Sequence, residues 1–215
     1  MEHTQAEYTQ YLQEAYPDDV LRAILLAVID GYKAAPSAAK KIFDRPDRHD
    51  ALGIVRRGKL NEQLRGVADF FKLDLRDEPN SAGSTFFLSV FSGRYRLVAN
   101  IVGRRKQMVR PAKIRRLWAK HNRDAQGVLG YMPQEGPVPE DTKFLAILIH
   151  GPRGRHRDQP AFVDIVVPDL RFSKYMCRID LFSKFPQIAS DMLTRQEPTR
   201  REPRERKRRE KMESA

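Results

Sequence analysis

The sequence predicts an α+β fold in which N-terminal helices pack on a mainly antiparallel sheet of about five strands. Three observations predict it. The first seventy-odd residues place apolar side chains at helical spacing, residues 84–102 alternate between apolar and polar side chains, and residues 144–150 form the short apolar run typical of a buried strand. The predicted domain therefore has a helical part at residues 1–76 and a sheet-rich part at residues 84–193.

The helical part contains three predicted helices. A short one covers residues 4–15, and a second begins after Pro17-Asp18-Asp19, where two acidic side chains lie at the positive end of the helix dipole. Apolar residues follow at helical spacing until Pro36, which is predicted to end this helix. Residues 44–50 are predicted as a polar loop, and a third helix covers about residues 59–73. None of these helices carries a chemical motif, so we expect them to serve packing.

Two strands, residues 84–91 and 94–102, are predicted to form a hairpin around a two-residue turn at Ser92-Gly93. This pairing places Ser89 opposite Arg96 and divides the ribbon into two faces. The face expected in the core carries Phe86, Leu88, Val90, Tyr95, Leu97 and Ala99. The other face carries Phe87, Ser89, Phe91, Arg94, Arg96, Val98 and Asn100. Phenylalanines beside arginines suit stacked bases flanked by phosphates. The alternative is a helix that covers the apolar side chains of this face while its arginines reach solvent.

A basic helix is predicted to follow the hairpin within residues 107–123, with Pro111 well placed as a first helical residue, and to project from the edge of the sheet. Its expected inner face is apolar and consists of Ile114, Leu117, Trp118 and His121. Lysines and arginines surround that face, and such a helix can lie along phosphates or enter a groove. The alternative is a solvated cover helix, which is less favourable because no acidic side chain is present to pair at i, i+4.

Three further strands bring the predicted sheet to five, and they cover residues 144–150, 161–167 and 175–182. Between the first two of them, residues 151–160 are predicted as a Gly-rich basic loop. Arg153, Arg155 and His156 of this loop could cradle a phosphate together with backbone amides. The alternative is a mobile loop without a ligand.

Basic charge is concentrated in residues 94–123, which contain eleven Lys or Arg and no Asp or Glu. The whole chain has a formal net charge of +12, and the other excess of positive charge lies in residues 194–215. That tail has no apolar periodicity, so it is predicted to be disordered beyond a single domain of residues 1–193. One-sided charge repels itself unless a polyanion offsets it, and nucleic acid is the commonest polyanion.

Several classes of function are disfavoured. The single cysteine, Cys177, excludes an internal disulfide and a Cys-based zinc cluster. The sequence contains no signal peptide, no apolar run long enough to span a membrane, and no phosphate-binding, dinucleotide-binding or Ser-nucleophile motif. We therefore expect no membrane association and a cytoplasmic or nucleoid-associated location, or a nuclear one in a eukaryote, where residues 204–211 would act as a localisation signal.

A metal-dependent endonuclease is a catalytic alternative, because Asp164 and Asp180 lie inside apolar strands, where carboxylates are costly unless paired. On neighbouring strands they would share Mg²⁺, with Glu62 or Asp69 as a third ligand, as metal-assisted hydrolysis of a phosphodiester needs. The competing expectation is that both carboxylates form ion pairs, Asp164 with Arg178 and Asp180 with Lys184 or a helix arginine. No cofactor is expected otherwise.

Nucleic-acid binding is the favoured function, and charge alone does not distinguish DNA from RNA. The residues predicted to contact nucleic acid are Arg94, Arg96, Arg104, Arg105, Lys106, Arg110, Lys113, Arg115, Arg116, Lys120, Arg123, Arg153 and Arg155, with Phe87, Phe91 and Trp118 as stacking groups. One further alternative is an adaptor that docks on an acidic protein partner. Another is a metal-free ribonuclease whose acid–base groups would be Arg96, His121, Tyr131 and His150.

Overall fold

The structure is a computed structural model that describes residues 5–79, 86–93, 95–128, 144–154 and 156–194. The predicted fold class is confirmed: the described residues form six helices and a six-stranded, mostly antiparallel sheet. The chain divides into two compact units, Met1–Lys184 and Phe185–Ala215. Helix α6 (Pro186–Thr194) belongs to the second unit, and the sheet belongs to the first.

Three helices precede the sheet, namely α1 (Gln5–Ala15), α2 (Asp18–Ile42) and α3 (Arg45–Phe71). The prediction that Pro36 ends the second helix is wrong, because α2 continues through it. Ala35 and Ala39, on either side of Pro36, are buried and keep the inner face of α2 packed. The packing of α2 on α3 and β5 outweighs the roughly 3 kcal/mol that an internal proline costs a helix.

Helix α3 begins about fourteen residues earlier than its apolar pattern predicts, so the polar loop predicted at residues 44–50 is also wrong. Pro46 lies in its first turn, where its missing N–H costs nothing, and Asp47 lies at the positive end of the helix dipole. These first turns are largely exposed, so no apolar stripe marks them. The helix ends at Phe71 and is capped by Lys72, whose φ of 57° is left-handed.

The sheet has the strand order β1-β2-β3-β4-β5-β6, and all neighbours are antiparallel except β3 and β4. The strands are β1 (Asp74–Pro79), β2 (Phe86–Ser92), β3 (Tyr95–Ile101), β4 (Phe144–Arg153), β5 (His156–Pro168) and β6 (Tyr175–Asp180). Strand β1 is a sixth strand that the sequence patterns do not predict. It is an edge strand without a fully buried side chain, so its composition is polar and carries no apolar alternation.

Two hairpins differ from the sequence prediction. In the β2–β3 hairpin Phe91 pairs with Arg96, which shifts the predicted register by two residues. Because side chains alternate with a period of two, this shift leaves the same residues on each face, although Phe86, which was expected in the core, is 56% exposed. The loop predicted at residues 151–160 is instead the end of the β4–β5 hairpin, in which Arg153 pairs with His156. Gly154, with a φ of +47°, provides the positive dihedral angle for its turn.

Helices lie on both faces of the sheet. On one face, α1 and α2 pack on β6 and β5. On the other, α4 (Lys113–Val128) packs on β4 and β5 rather than projecting from the edge of the sheet. Segment 102–112 connects β3 to α4, and its Val102 and Val109 join Val98 and Trp118 in one buried apolar cluster. A short helix, α5 (Leu181–Lys184), follows β6.

Candidate nucleic-acid interface

The basic stretch is divided by the fold into exposed cations and cations that pair internally. Six side chains are exposed and have no ion-pair or hydrogen-bond partner within the described parts of the chain. We call them the basic surface: Arg104, Lys106, Arg110, Lys113, Arg116 and Lys120. Three others, Arg96, Arg105 and Arg115, are bound by acceptors within the fold.

One exposed face of helix α4 carries three cations of the basic surface. Lys113, Arg116 and Lys120 are spaced i, i+3 and i+7 and lie on the face opposite to Trp118 and Ala119, which are buried. Leu117 was predicted on the inner face but is 52% exposed among these cations. The buried face of α4 is therefore rotated about the helix axis, relative to the predicted face, by about the angle between two successive residues.

Asn122 determines this rotation. Its side chain is 1% exposed, and its Nδ2 donates hydrogen bonds to the carbonyl oxygens of Leu145 (3.1 Å) and Pro168 (2.8 Å). Its Oδ1 accepts a hydrogen bond of 2.7 Å from the Leu145 N–H. A buried amide with three satisfied hydrogen bonds fixes the helix orientation, because any other rotation leaves these groups unpaired. The apolar pattern of the helix does not mark Asn122 as buried, and its only local signal is its position four residues after Trp118.

Arg105 was predicted to contact nucleic acid but is held by carboxylates. Its Nε and Nη2 donate to the two oxygens of Asp164 at 3.0 and 2.9 Å, and Nη2 lies 2.5 Å from Asp180 Oδ2. These hydrogen bonds, that to Asp164 first, raise the pKa of Arg105. Burial raises the pKa of Asp164, and the hydrogen bonds from Arg105 oppose this rise. Arg105 therefore anchors the connecting segment to β5 and β6 instead of extending to a ligand.

The same contacts bear on the endonuclease alternative. Asp164 and Asp180 are direct neighbours in the β5–β6 register, as that alternative requires. However, the Arg105 guanidinium bridges them, and Arg178 Nη1 lies 3.7 Å from Asp164. Glu62 pairs with Lys59 on α3 at 2.7 Å. Within the described ranges, no group of three or more His, Cys, Asp or Glu side chains is placed to hold a metal ion.

The predicted stacking groups are covered by the fold. Phe91 and Trp118 are 5% and 7% exposed, and Phe87 packs edge-on against Trp118 with ring centroids 5.8 Å apart. Arg96, whose side chain is 14% exposed, lies over the Trp118 and Phe91 rings at 4.3 and 5.0 Å. The rings thus contact an arginine of the protein, since α4 packs on the face that was expected to be open.

The remaining predicted residues are dispersed. Arg153 is exposed at the end of β4. His150 is buried, and its Nδ1 lies 2.9 Å from the Tyr32 hydroxyl. The predictions that concern Arg94, Arg155, Tyr131, the His121 and Arg123 side chains and the 195–215 part of the tail fall outside the described structure.

The chain matches no protein-family model, no curated protein and no solved structure. None of the helices in the described ranges has both the length and the apolar character that crossing a membrane requires.

Proposed function

We propose that this protein binds nucleic acid through the basic surface on segment 102–112 and α4. The observation that carries the proposal is the set of six exposed Lys and Arg side chains, with no acidic residue between positions 94 and 123. Exposed cations that lack carboxylate partners remain available to phosphate oxygens.

Repulsion between the cations on α4 favours the binding of a polyanion. Like charges at i, i+3 and i+4 destabilise a helix by roughly 0.2–0.5 kcal/mol per pair. Lys113, Arg116 and Lys120 form two such pairs, and the first turn contains no acidic residue to complement the helix dipole. Phosphates along this face remove the repulsion, and their released counterions contribute the free energy of binding.

Affinity for nucleic acid should fall steeply with salt. For duplex DNA, log K decreases with log salt concentration by about 0.9 for each phosphate neutralised. Fluorescence anisotropy with labelled duplex DNA, single-stranded DNA and RNA of equal length, each titrated at several NaCl concentrations, measures this slope and compares the three partners. A slope near zero for all of them contradicts the proposal.

A matched pair of triple variants tests the surface itself. Lys113→Gln/Arg116→Gln/Lys120→Gln removes three exposed charges from α4, and Lys40→Gln/Lys41→Gln/Arg45→Gln removes three exposed charges from α2 and α3. The first variant should reduce the salt slope on duplex DNA by about 2.7, and the second should leave it nearly unchanged. If both variants weaken binding equally, general net charge and not the α4 face accounts for it.

A further inference from the structure

An apolar groove lies between α2 and α3 and opens to solvent. It has a volume of about 320 Å³, and Leu26 and Phe70, which line it, are 42% and 78% exposed. Ala23, Ala27 and Gly66 also line it, and such small residues allow another helix to approach closely. Large apolar side chains that remain exposed at one groove are typical of a surface that binds a protein partner.

The face of α2 that borders this groove carries a row of exposed side chains. They follow one another at intervals of three or four residues, so they lie on one side of the helix. A row with this spacing is the contact stripe along which two helices pack side by side. We call it the α2 seam, and it consists of Asp19, Arg22, Leu26, Asp30 and Lys33.

The charges of the α2 seam are arranged with opposite signs about Leu26. Arg22 and Asp30 each lie four residues from Leu26, on opposite sides of it. Asp19 and Lys33 each lie seven residues from it, again on opposite sides. When two antiparallel copies of a helix meet at one residue, positions at equal distances from that residue lie at the same height along the helix axes. Arg22 then faces the second copy's Asp30, and Asp19 faces the second copy's Lys33.

We propose that the chain forms a two-fold symmetric dimer in which the α2 seams of two copies pack antiparallel, with Leu26 at the axis. The symmetry produces every contact twice, so four ion pairs flank a central contact between the two Leu26 side chains. Parallel packing of the same seams would place like charges opposite each other, which is unfavourable. Asp30 and Lys33 also pair within one chain at 3.3 Å, but such an exposed pair contributes little and leaves both groups able to accept a second partner.

This inference goes beyond nucleic-acid binding and does not depend on it. Helix α2 packs on one face of the sheet and α4 packs on the other. A dimer through α2 therefore leaves the basic surface of each copy exposed.

The mass of the chain in solution tests the dimer directly. The nuclease-treated, full-length chain should reach the mass of two chains as its concentration rises in sedimentation equilibrium. Lys113→Gln/Arg116→Gln/Lys120→Gln should dimerise equally well, because α4 lies outside the interface. A wild-type chain that is still monomeric at about 100 μM overturns the proposal. A dimer that is lost in the α4 variant overturns it as well, because association then proceeds through α4 or through bound nucleic acid.

Exchange of charges within the α2 seam tests the pairing. Arg22→Glu should weaken dimerisation by about tenfold or more, because it places acidic side chains opposite each other at two symmetric positions. Arg22→Glu/Asp30→Arg restores opposite charges and should dimerise almost as well as the wild type. Arg45→Glu makes the same change at an exposed residue of α3 outside the seam and should have no effect. A double variant that remains as weak as Arg22→Glu, or an equal weakening by Arg45→Glu, overturns the proposal.

Cross-linking locates the symmetry axis and covers the case in which a charge variant does not fold. Leu26→Cys brings two thiols together at the axis and should form an intermolecular disulfide under mild oxidation, whereas the native Cys177 is buried. Ser37 is exposed and lies eleven residues beyond Leu26 on α2. Antiparallel copies separate the thiols of Ser37→Cys by about 33 Å along the helix, so this variant should not cross-link. Cross-linking of both variants, or of neither, overturns the proposal.

Discussion

Asp164 shows how this fold stabilises a buried charge. Asp164 is fully buried, but its two oxygens accept hydrogen bonds from Arg105, and Arg178 lies nearby. Truncating one partner of such a pair typically costs about 3–5 kcal/mol, because the other charge remains buried. Arg105 therefore contributes to the position of the whole connecting segment, and through it to the basic surface.

His150 shows the opposite solution, in which a titratable group is buried in its neutral form. It is 1% exposed, its Nδ1 lies against the Tyr32 hydroxyl, and its Nε2 has no hydrogen-bond partner among the described residues. Burial, and then the charge of Arg56, lowers its pKa to about 3. Its unfolded-state pKa is about 6.5, so only the unfolded chain gains a proton as the pH falls below that value.

The stability contributed by His150 should therefore be complete above about pH 6.5 and be lost as the pH falls toward 3, by up to about 1.4 kcal/mol per pH unit. Between about pH 7 and pH 5, the wild type should lose roughly 2 kcal/mol more free energy of unfolding than His150→Gln. Urea unfolding at both pH values measures the difference. His49→Gln, which alters an exposed histidine on α3, is the control and should keep the wild-type dependence. Identical pH dependence in all three proteins contradicts the prediction.

Helices α2 and α3 illustrate how packing between elements opposes local helix propensity. A Cβ added at Gly31 on α2 would lie 3.0 Å from the Leu60 Cα on α3, whereas one added at Gly58 meets nothing within 4 Å. Glycine inside a helix costs roughly 0.5–1 kcal/mol relative to alanine. Glycine is needed at position 31 in spite of this cost, because the backbones of α2 and α3 approach closely there.

The two glycines should respond to alanine in opposite directions. Gly58→Ala should raise the free energy of unfolding by about 0.5–1 kcal/mol, because it gains helix propensity without a steric conflict. Gly31→Ala should lower it by about 1–3 kcal/mol, because the added methyl forces the helices apart. Urea unfolding of both variants tests this. If Gly31→Ala stabilises as much as Gly58→Ala, the helices do not approach as closely as described.

The charges of the whole molecule are distributed unevenly. Positive charge is concentrated between positions 94 and 123, while residues 1–93 and 124–193 each contain slightly more acidic than basic residues. Internal pairing relieves only part of this excess, since the six cations of the basic surface have no partner within the described residues. Without a polyanion, their mutual repulsion destabilises the folded state.

Salt should therefore stabilise the protein when no nucleic acid is present. At about 1 M salt the screening length falls to roughly 3 Å, which removes most repulsion between exposed charges. We expect Tm to rise with NaCl in the wild type and in the Lys40→Gln/Lys41→Gln/Arg45→Gln control, and to rise less in Lys113→Gln/Arg116→Gln/Lys120→Gln. Differential scanning calorimetry provides the measurement. An equal rise in all three proteins would show that general salt effects, rather than repulsion on α4, govern it.

Local patterns in the chain were sufficient for most elements of the fold. The apolar spacing from Val20 to Tyr32 predicts the core of α2, and alternation along β2 and β3 predicts both faces of their hairpin, even with the register shifted. These features are readable because burial repeats with a period of 3.6 or 2 along a continuous segment. Strand β1 and the start of α3 were missed because they are largely exposed, and exposed segments carry no such period.

The geometry of the candidate interface could not be predicted from the sequence, because it depends on contacts between residues far apart in the chain. The cationic stretch and its net charge are properties of the sequence, and they alone point to a polyanion. Which cations remain available follows from Asp164, 59 positions after Arg105, and from Asn122, which reaches Pro168 across 46 positions. No periodicity encodes such pairs, because the partner of a buried charge or amide is selected by where the folded chain brings an acceptor within hydrogen-bonding distance.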